Sequence, residues 1–315
     1  MTAAVEAEDT AAVDALIAPQ VERIHPDLEW EFGTGSQARH LFVVSSGGRP
    51  ELRPLAERWR RAGPPDDDTW EFRPARQVEL DVFHSGQVMS AGGVEVNIAA
   101  VVAQATVDDQ RCRIDVSVFH PRFFEMTEHA RAHLAFLVLD WALGEDDVER
   151  WVGAVEAVTV SPLDPIPVAT LGAVVEQAAE RWAGERWAVM EGWHGDSRLI
   201  ASIRHPLHRV DHPLFDEHVA VRLTYSDLMP GGLPGERALD ELRGFEEALV
   251  GRLGRSALLV AQETSMGERV LHLYGDSTAS VVPLIEAMLR GYTGGAAAVS
   301  GDHDPAWRML EHLRP

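Results

Sequence analysis

The sequence predicts an α+β protein of two tandem domains, in which helices pack on antiparallel sheets. Its 315 residues exceed the length of one typical domain. Several segments alternate apolar and polar residues, as half-buried strands do, and others carry apolar residues at helical spacing. In the C-terminal part these segments follow the order β-α-β-β-α-β, the split arrangement of ferredoxin-like folds. The first part repeats this order loosely, so we predict a second ferredoxin-like domain there.

The chain is expected to divide into four segments. An N-terminal helix is predicted over residues 1–24 and an α+β domain over residues 25–161. A linker and a bridging helix are predicted over residues 162–185, because three prolines lie close together at the start of this segment. The C-terminal ferredoxin-like domain is then expected over residues 186–315.

In the first half, the opening helix is predicted over residues 5–24, with Val13, Leu16, Ile17 and Val21 on one face. Residues 77–93 show no clear pattern. The remaining predicted elements are strand 28–32, strand 40–46, helix 50–62, strand 69–72, a hairpin of 94–106 and 110–119, helix 123–143 and strand 152–160.

In the second half, the bridging helix is predicted over residues 168–182, and Asp304 with Pro305 is expected to begin a terminal helix that buries Trp307. The elements between them are strands 187–191, 199–205 and 219–225, helix 236–253, strands 257–264 and 269–274, helix 280–289 and strand 296–300.

The charge balance limits the partners that the protein can have. Acidic residues number 50 against 28 basic ones, giving a formal net charge of −22. A surface this negative repels the phosphates of nucleic acids and of anionic membranes, so we expect neither as a partner. The charge favours solubility and suits a basic protein partner, but it does not indicate an oligomeric state.

Two absences exclude classes of chemistry. The sequence contains no lysine, which excludes enzymes that need a phosphate-binding or Schiff-base lysine or a Ser-x-x-Lys nucleophile. The single cysteine, Cys112, cannot form a disulfide or a multi-cysteine metal site within the chain, which suits a reducing cytoplasm. Residues 1–24 lack the pattern of a signal peptide, so we expect a cytoplasmic protein.

Several short motifs follow one another in the C-terminal third. They are Gly232-Leu233-Pro234 with Glu236, then Glu263-Thr264 with Gly267 and Arg269, then Leu273-Tyr274, then Asp304-Pro305-Ala306-Trp307 and the closing Leu313-Arg314-Pro315. With these motifs, residues 214–315 resemble the bacterial domain of unknown function 695. The resemblance implies a ferredoxin-like fold, and it carries over no catalytic residue because that family is uncharacterised.

The first half resembles the region that often precedes this domain in longer bacterial proteins. The residues that carry this resemblance are Ile24-His25-Pro26-Asp27-Leu28 with Trp30, and Trp70-Glu71-Phe72.

One segment fits a nucleotide-binding pattern. Residues 33–38 spell Gly-x-Gly-x-x-Ala, but the motif requires a helix directly afterwards, so that the helix N-terminus can hold a pyrophosphate. Here a strand is predicted from His40, so we interpret the segment as a hairpin turn. No cofactor is predicted.

Histidines supply the weak candidates for a metal site. His205, His208, His212 and His218 form the densest group, with carboxylates among them, and such ligands suit zinc, nickel or iron. The spacings are not those of a compact site. His129 and His133 share a helix face, but a zincin motif would need Glu where the chain has Ala130. A mixed helix surface is the simpler interpretation of that pair.

No catalytic residue is predicted. Carboxylate pairs such as Asp146-Asp147 and Glu246-Glu247 diverge on a helix and are interpreted as solvated faces. Cys112 alternates with polar residues in a strand, which favours a small core residue over a reactive thiol. Most of the nine tryptophans fall on predicted inner faces, whereas Trp187 and Trp193 could line a surface groove.

Three functional hypotheses follow from these observations. The leading one is a non-enzymatic protein-binding or regulatory module, because the chain is acidic, ferredoxin-like in order and without a catalytic signature. The first alternative is a hydrolase-type enzyme with a histidine and carboxylate site between the domains. The second is a metal-binding module that uses residues 205–218.

Overall fold

The protein has a mixed α+β architecture, as the sequence predicts. A computed structural model describes Ala7 and residues 9–313. The chain divides into two compact units, Met1–Ala183 and Gly184–Pro315. The four predicted segments and their limits stay a prediction. The start of the first predicted helix and the final Arg314-Pro315 of the closing motif lie outside the described residues.

The first unit contains six helices and nine strands in its described part. They are α1 (Thr10–Glu22), β1 (Glu29–Thr34), β2 (His40–Ser45), α2 (Arg53–Ala62), β3 (Trp70–Arg73), α3 (Asp81–His84), β4 (Val88–Ala91), β5 (Val94–Asn97), β6 (Val102–Asp108), β7 (Arg113–Phe119), α4 (Glu128–Leu143), α5 (Glu145–Trp151), β8 (Val152–Val158), β9 (Ile166–Pro167) and α6 (Leu171–Trp182). Short 3-10 helices lie at Pro50–Leu52, Ile98–Ala100, Phe123–Glu125 and Val168–Thr170.

The sheets of the first unit differ from the predicted antiparallel arrangement. Its strands form a three-stranded sheet in the order β1-β2-β3, a pair β4-β5 and a four-stranded sheet in the order β8-β7-β6-β9. Strands β2 and β3 are parallel, and so are β7 and β8. In both cases helices connect the two strands, and such a crossover returns the chain in the same direction.

Three predictions for this unit can be compared with the structure. The predicted strand 94–106 is interrupted by a 3-10 helix, because the Asn97 side chain accepts a hydrogen bond from the Ala99 amide at 3.0 Å. Leu16 is predicted on the buried face of the first helix, but its side chain is exposed. Cys112 lies in the turn before β7 with φ of 50°, and its side chain is buried as expected.

The larger core of the first unit lies between the four-stranded sheet and two helices. Ile114, Val116 and Val118 of β7 contribute to it, together with Leu139 of α4. Helix α6, which falls in the predicted linker region, adds Val175, so it belongs to this core. A smaller core packs helix α2 on the three-stranded sheet.

The second unit is built on one antiparallel sheet of six strands. Its elements are β10 (Arg186–His194), β11 (Ser197–His205), β12 (Glu217–Thr224), α7 (Glu236–Leu253), β13 (Ala257–Ser265), β14 (Glu268–Gly275), α8 (Val281–Leu289) and β15 (Ala297–His303). The strands lie in the order β10-β11-β13-β14-β12-β15. From β12 onward the elements follow the order β-α-β-β-α-β.

Both faces of the central strands β13 and β14 are covered, by different elements. On one face, Leu271 and Leu273 of β14 pack with buried residues of α7 and α8. On the other, Tyr274 packs with Trp307 and Leu310. The expected terminal helix is a 3-10 helix, Arg308–Leu313, because Trp307 adopts φ of 56° and interrupts the turn begun at Asp304.

None of the helices in the described part of the chain combines the length and apolar character needed to cross a membrane.

Candidate functional site

Strand β10 exposes three large apolar side chains on one face. Trp187 is 39% exposed, Val189 67% and Trp193 74%. They occupy alternate positions, so they point to the same side of the sheet. The residues between them, such as Ala188 and Met190, are partly buried against the second unit's core. One face of β10 is therefore packed, and the other presents two tryptophans and a valine to solvent.

The main chain of β10 is also at an edge. Strand β10 is the first in the sheet order and pairs only with β11 among the described strands. The opposite edge is β15, which carries small and charged residues such as Ala298, Gly301 and Asp302. An exposed apolar edge strand is a template for pairing with another chain, whereas glycine and charge discourage it. Of the two edges, β10 is the one with large exposed apolar side chains.

Two ion pairs lie beside β10. Arg204 contacts Glu185 at 2.8 Å, and Arg198 contacts Glu191 at 2.7 Å. The guanidinium of Arg204 also lies 5.5 Å from the centre of the Trp187 ring, as in a cation–π contact. These pairs leave the apolar side chains as the main feature of this face.

A row of hydrogen-bonded polar side chains lies on the opposite face of the same sheet. Glu263 Oε1 lies 3.0 Å from His272 Nε2, and His272 Nδ1 lies 3.0 Å from His218 Nε2. A carboxylate only accepts, so His272 Nε2 donates to it, and the Nδ1 of a neutral His272 accepts from His218. His312 Nε2 also lies 2.9 Å from Glu263 Oε1.

Burial sets the charge of His218, and hydrogen bonding sets that of Glu263. Burial, with the nearby His272, lowers the pKa of His218 to about 4, so its ring is neutral at neutral pH. The hydrogen bonds from His272 and His312 lower the pKa of Glu263 to about 2 despite its burial. The result is one carboxylate oxygen, Glu263 Oε1, that accepts hydrogen bonds from two histidine rings and so joins β13 to β14 and to the terminal 3-10 helix.

Asp304 holds the terminal 3-10 helix, Arg308–Leu313, on this face of the sheet. It accepts hydrogen bonds from the Tyr274 hydroxyl and from the amides of Arg308 at 2.9 Å and Met309 at 2.8 Å. Burial opposes its ionisation, but these donors outweigh it and hold its pKa below the usual range. The Trp307 ring stacks on Tyr274 with centroids 4.2 Å apart.

A second polar group joins the helix side of the sheet. Arg269 binds Glu246 at 2.7 Å and the Thr264 hydroxyl at 2.9 Å, and its side chain is largely buried. The Tyr225 hydroxyl donates to the Gly232 carbonyl at 2.9 Å. Glu263, Thr264, Arg269, Tyr274, Asp304 and Trp307, which carry the family resemblance, therefore hold the unit together.

The four histidines considered as metal ligands lie in different environments. His205 ends β11, His208 precedes a 3-10 helix, His212 follows it and His218 lies on β12. The His212 ring stacks on Trp307, and burial lowers its pKa. In the described part of the chain, no three histidine, cysteine, aspartate or glutamate side chains are arranged to hold a metal ion. His129 and His133 are exposed on α4.

The Gly-x-Gly-x-x-Ala segment forms the turn between β1 and β2, as predicted. Its amides already bind an anion, the carboxylate of Glu71: the amide of Ser36 lies 3.1 Å from it, that of Gln37 2.5 Å and that of Ala38 2.9 Å. These bonds lower the pKa of Glu71 to about 2. The donors that a phosphate would need are occupied by the protein itself.

The interpretation of the carboxylate pairs as solvated faces is wrong for two residues. Asp146 binds Arg53, a buried arginine, at 2.9 Å, and Glu246 binds Arg269. Both carboxylates lie on helices that pack against other elements, where an arginine from a neighbouring element reaches them. Sequence spacing within one helix does not reveal such a partner from a distant segment.

Sequence reasoning also missed a buried carboxylate in the first unit. Glu145 accepts hydrogen bonds from the Ser46 hydroxyl at 2.7 Å, the Gly48 amide at 3.2 Å and the Arg76 amide at 3.1 Å. It begins helix α5, and its contacts connect that helix to the loop after β2. The only signal in the sequence is an acidic residue directly after Gly144, which is common at helix starts.

Arg76 extends this buried network. Its guanidinium binds Asp140 at 3.0 Å and Glu31 at 2.8 Å. Burial, with the negative charge of Glu145, raises the pKa of Asp140 to about 7 although Arg76 opposes the shift. Perturbed carboxyls occur at functional sites and in structural ion networks alike. Here the Arg76 guanidinium joins β1 to α4 and Glu145 joins α5 to the loop after β2, so we interpret the network as structural.

The comparison with protein families finds a match within the second unit of the chain. The fold and its polar interior define the second unit as an α+β domain on an antiparallel sheet. Residues 186–313 match the model of a family of unknown function, DUF695, as the motifs of the C-terminal third indicate. No curated protein and no solved structure matches the chain.

Proposed function

We propose that the second unit is a protein-binding module whose edge strand β10 accepts an extended segment of a protein partner. The observation that carries this proposal is the exposure of Trp187, Val189 and Trp193 on a strand that, among the described strands, pairs on one edge only. In strand addition, main-chain hydrogen bonds supply affinity and alternate side chains supply specificity. Tryptophan is also enriched among residues that dominate binding energy.

The direction of the main-chain groups supports the proposal. Strand β10 reaches β11 through the two-residue turn Gly195-Asp196, so the closing pair His194 and Ser197 is hydrogen-bonded. Pairs in an antiparallel ladder alternate, so even-numbered residues of β10 bond to β11. The odd-numbered residues, including Val189 and Glu191, therefore direct their amides and carbonyls away from the sheet.

The finer fold assignment belongs to the same proposal. A ferredoxin-like core over residues 217–303 is supported by the element order β-α-β-β-α-β and by the sheet order β13-β14-β12-β15. In this assignment β10 and β11 are additions that extend the sheet beyond the two helices. A regulatory role for the module, and a basic partner attracted by the net charge of −22, stay predictions.

Site-specific photo-cross-linking tests the proposal. A photoreactive phenylalanine analogue replaces Val189 in the full chain expressed in its own cells, and the matched control replaces Leu163, an apolar residue of the first unit that is 94% exposed. We expect covalent protein adducts from position 189 and at most a trace from position 163.

A second variant distinguishes strand addition from non-specific hydrophobic association. Glu191→Pro removes an outward amide while the bonds to β11 remain, and proline is tolerated on edge strands. Introduced beside the cross-linker, it should abolish the adducts, whereas Glu191→Gln should preserve them. Equal adduct yields at positions 189 and 163 would reject the module.

A further inference from the structure

We infer that the partner of β10 is a second copy of this chain, paired antiparallel about Met190 so that two six-stranded sheets form one continuous sheet. This inference rests on the proposed function, because it names the occupant of the same edge. A two-fold axis through an edge strand makes an isologous contact, in which each residue pair occurs twice. Residues that lie equally far from Met190 on its two sides must then be able to pair with one another.

The sequence of β10 has this property. Trp187 and Trp193 lie three residues on either side of Met190, so each tryptophan faces the other in the second copy. Ala188 and Gly192 lie two residues away on either side and would form a pair of small residues. Aromatic cross-strand pairs stabilise antiparallel sheets, and here two such pairs would cover side chains that are exposed in the single chain.

The main chain permits this register. Pairing about Met190 places Trp187 opposite Trp193 and Val189 opposite Glu191, and all four are odd-numbered residues with outward amides and carbonyls. Each of these pairs can exchange two hydrogen bonds. Met190 then faces its copy in a non-hydrogen-bonded pair, as the alternation of the ladder requires. Pairing about Val189 or Glu191 would place each tryptophan opposite a smaller side chain, and pairing about Trp187 or Trp193 would form only one tryptophan pair in place of two.

The charges near the axis are compatible with self-pairing. Glu191 would face Val189 of the second copy, and its carboxylate is already bound by Arg198 at 2.7 Å. Glu185 is likewise bound by Arg204. Like-charge opposition is therefore absent from the pairs next to the axis. A strongly basic partner, in contrast, would have to compete with both arginines for these carboxylates.

A symmetric disulfide tests the register directly. Cα atoms of a non-hydrogen-bonded pair lie about 4.5 Å apart, within the range of about 4.4–6.8 Å that disulfides bridge. Met190→Cys should therefore oxidise to a disulfide-linked dimer. Val189→Cys is the matched control, because its two copies would lie two residues out of register, beyond that range. Native Cys112 is buried, so the unmodified chain should remain unlinked.

Self-association of the reduced full chain supplies the second measurement. By sedimentation equilibrium, we expect a concentration-dependent dimer for the wild type and for Glu191→Gln. Glu191→Pro should raise the dissociation constant at least tenfold, with an unchanged circular dichroism spectrum. If Glu191→Pro unfolds, the comparison of Met190→Cys with Val189→Cys still decides the register.

The outcomes separate this inference from the proposed function. A monomer at every concentration, or equal disulfide yields from the two cysteine variants, overturns the second copy as the partner. If the position-189 cross-linker then captures a different protein, the binding module survives and only its occupant is wrong. If it captures nothing above the Leu163 control, both proposals fail.

Discussion

Glu71 shows how one side chain can decide what a turn binds. The amides of Ser36, Gln37 and Ala38 point to one spot, and the Glu71 carboxylate from β3 occupies it. An array of amides of this kind binds anions generally. A pattern of glycines does not reveal whether the anion is a ligand or a side chain elsewhere in the chain. The residue that answers the question lies more than thirty positions away.

Replacing this carboxylate should destabilise the first unit. Glu71→Gln keeps the size of the side chain but loses the charge, so bonds to an ion become bonds to a neutral amide. We expect a loss of roughly 1–2 kcal/mol in the free energy of unfolding, measured by urea denaturation at pH 7. Glu51→Gln, at an exposed glutamate of the same unit, should change it little.

The same residue predicts a pH dependence. The folded pKa of Glu71, about 2, lies below its ordinary value of 4.5, so the unfolded chain binds the proton more readily. Its contribution is present above the unfolded pKa and is lost as pH falls through the window between these values. The difference in stability between wild type and Glu71→Gln should therefore shrink as pH falls. A constant difference would contradict the assignment.

At the scale of elements, local pattern predicts what local forces decide. Helix α7 spans the predicted residues 236–253, because its apolar stripe and the turn-rich loop before it are both local signals. The β13–β14 hairpin also forms around Met266 and Gly267 as predicted. Helix α5 is not predicted from the sequence. Its first residue, Glu145, is held by Ser46 and Arg76, and a local pattern does not reveal partners from such distant segments.

The candidate site divides in the same way. The alternation of Trp187, Val189 and Trp193 is visible in the sequence. The sequence also sets Trp187 and Trp193 apart from the other tryptophans, as residues of a surface groove. That β10 is an edge depends on the strand order of the sheet, which no local pattern contains. The pairing of His218 with His272 likewise needs the register of β12 on β14.

The terminal segment offers a test at this scale. Asp304 binds the Tyr274 hydroxyl and two amides of the 3-10 helix Arg308–Leu313, so it fixes that helix on the sheet. Asp304→Asn should lower the free energy of unfolding by about 1–3 kcal/mol and raise amide exchange in residues 308–313. Asp302→Asn, at an exposed residue of β15, is the control. Equal effects from both variants would remove the special role of Asp304.

For the whole molecule, net charge and local complementarity make opposite demands. Each chain carries a formal charge of −22, so two copies repel one another at long range. The contacts at β10 are apolar and main-chain in kind, and salt screens them little. Raising the ionic strength from about 0.1 M to about 1 M shortens the screening length from about 10 Å to about 3 Å. Salt should therefore remove the repulsion and leave the attraction.

The dissociation constant of the wild-type dimer should accordingly fall several-fold across this range, measured by sedimentation at each salt concentration. Glu191→Pro should remain at least tenfold weaker than the wild type at both ends, because screening cannot restore a missing amide. An acidic chain that binds a basic partner would behave in the opposite way, since salt screens the attraction that brings them together. The sign of the salt dependence thus distinguishes a self-pairing edge from a basic-partner interface even before any partner is identified.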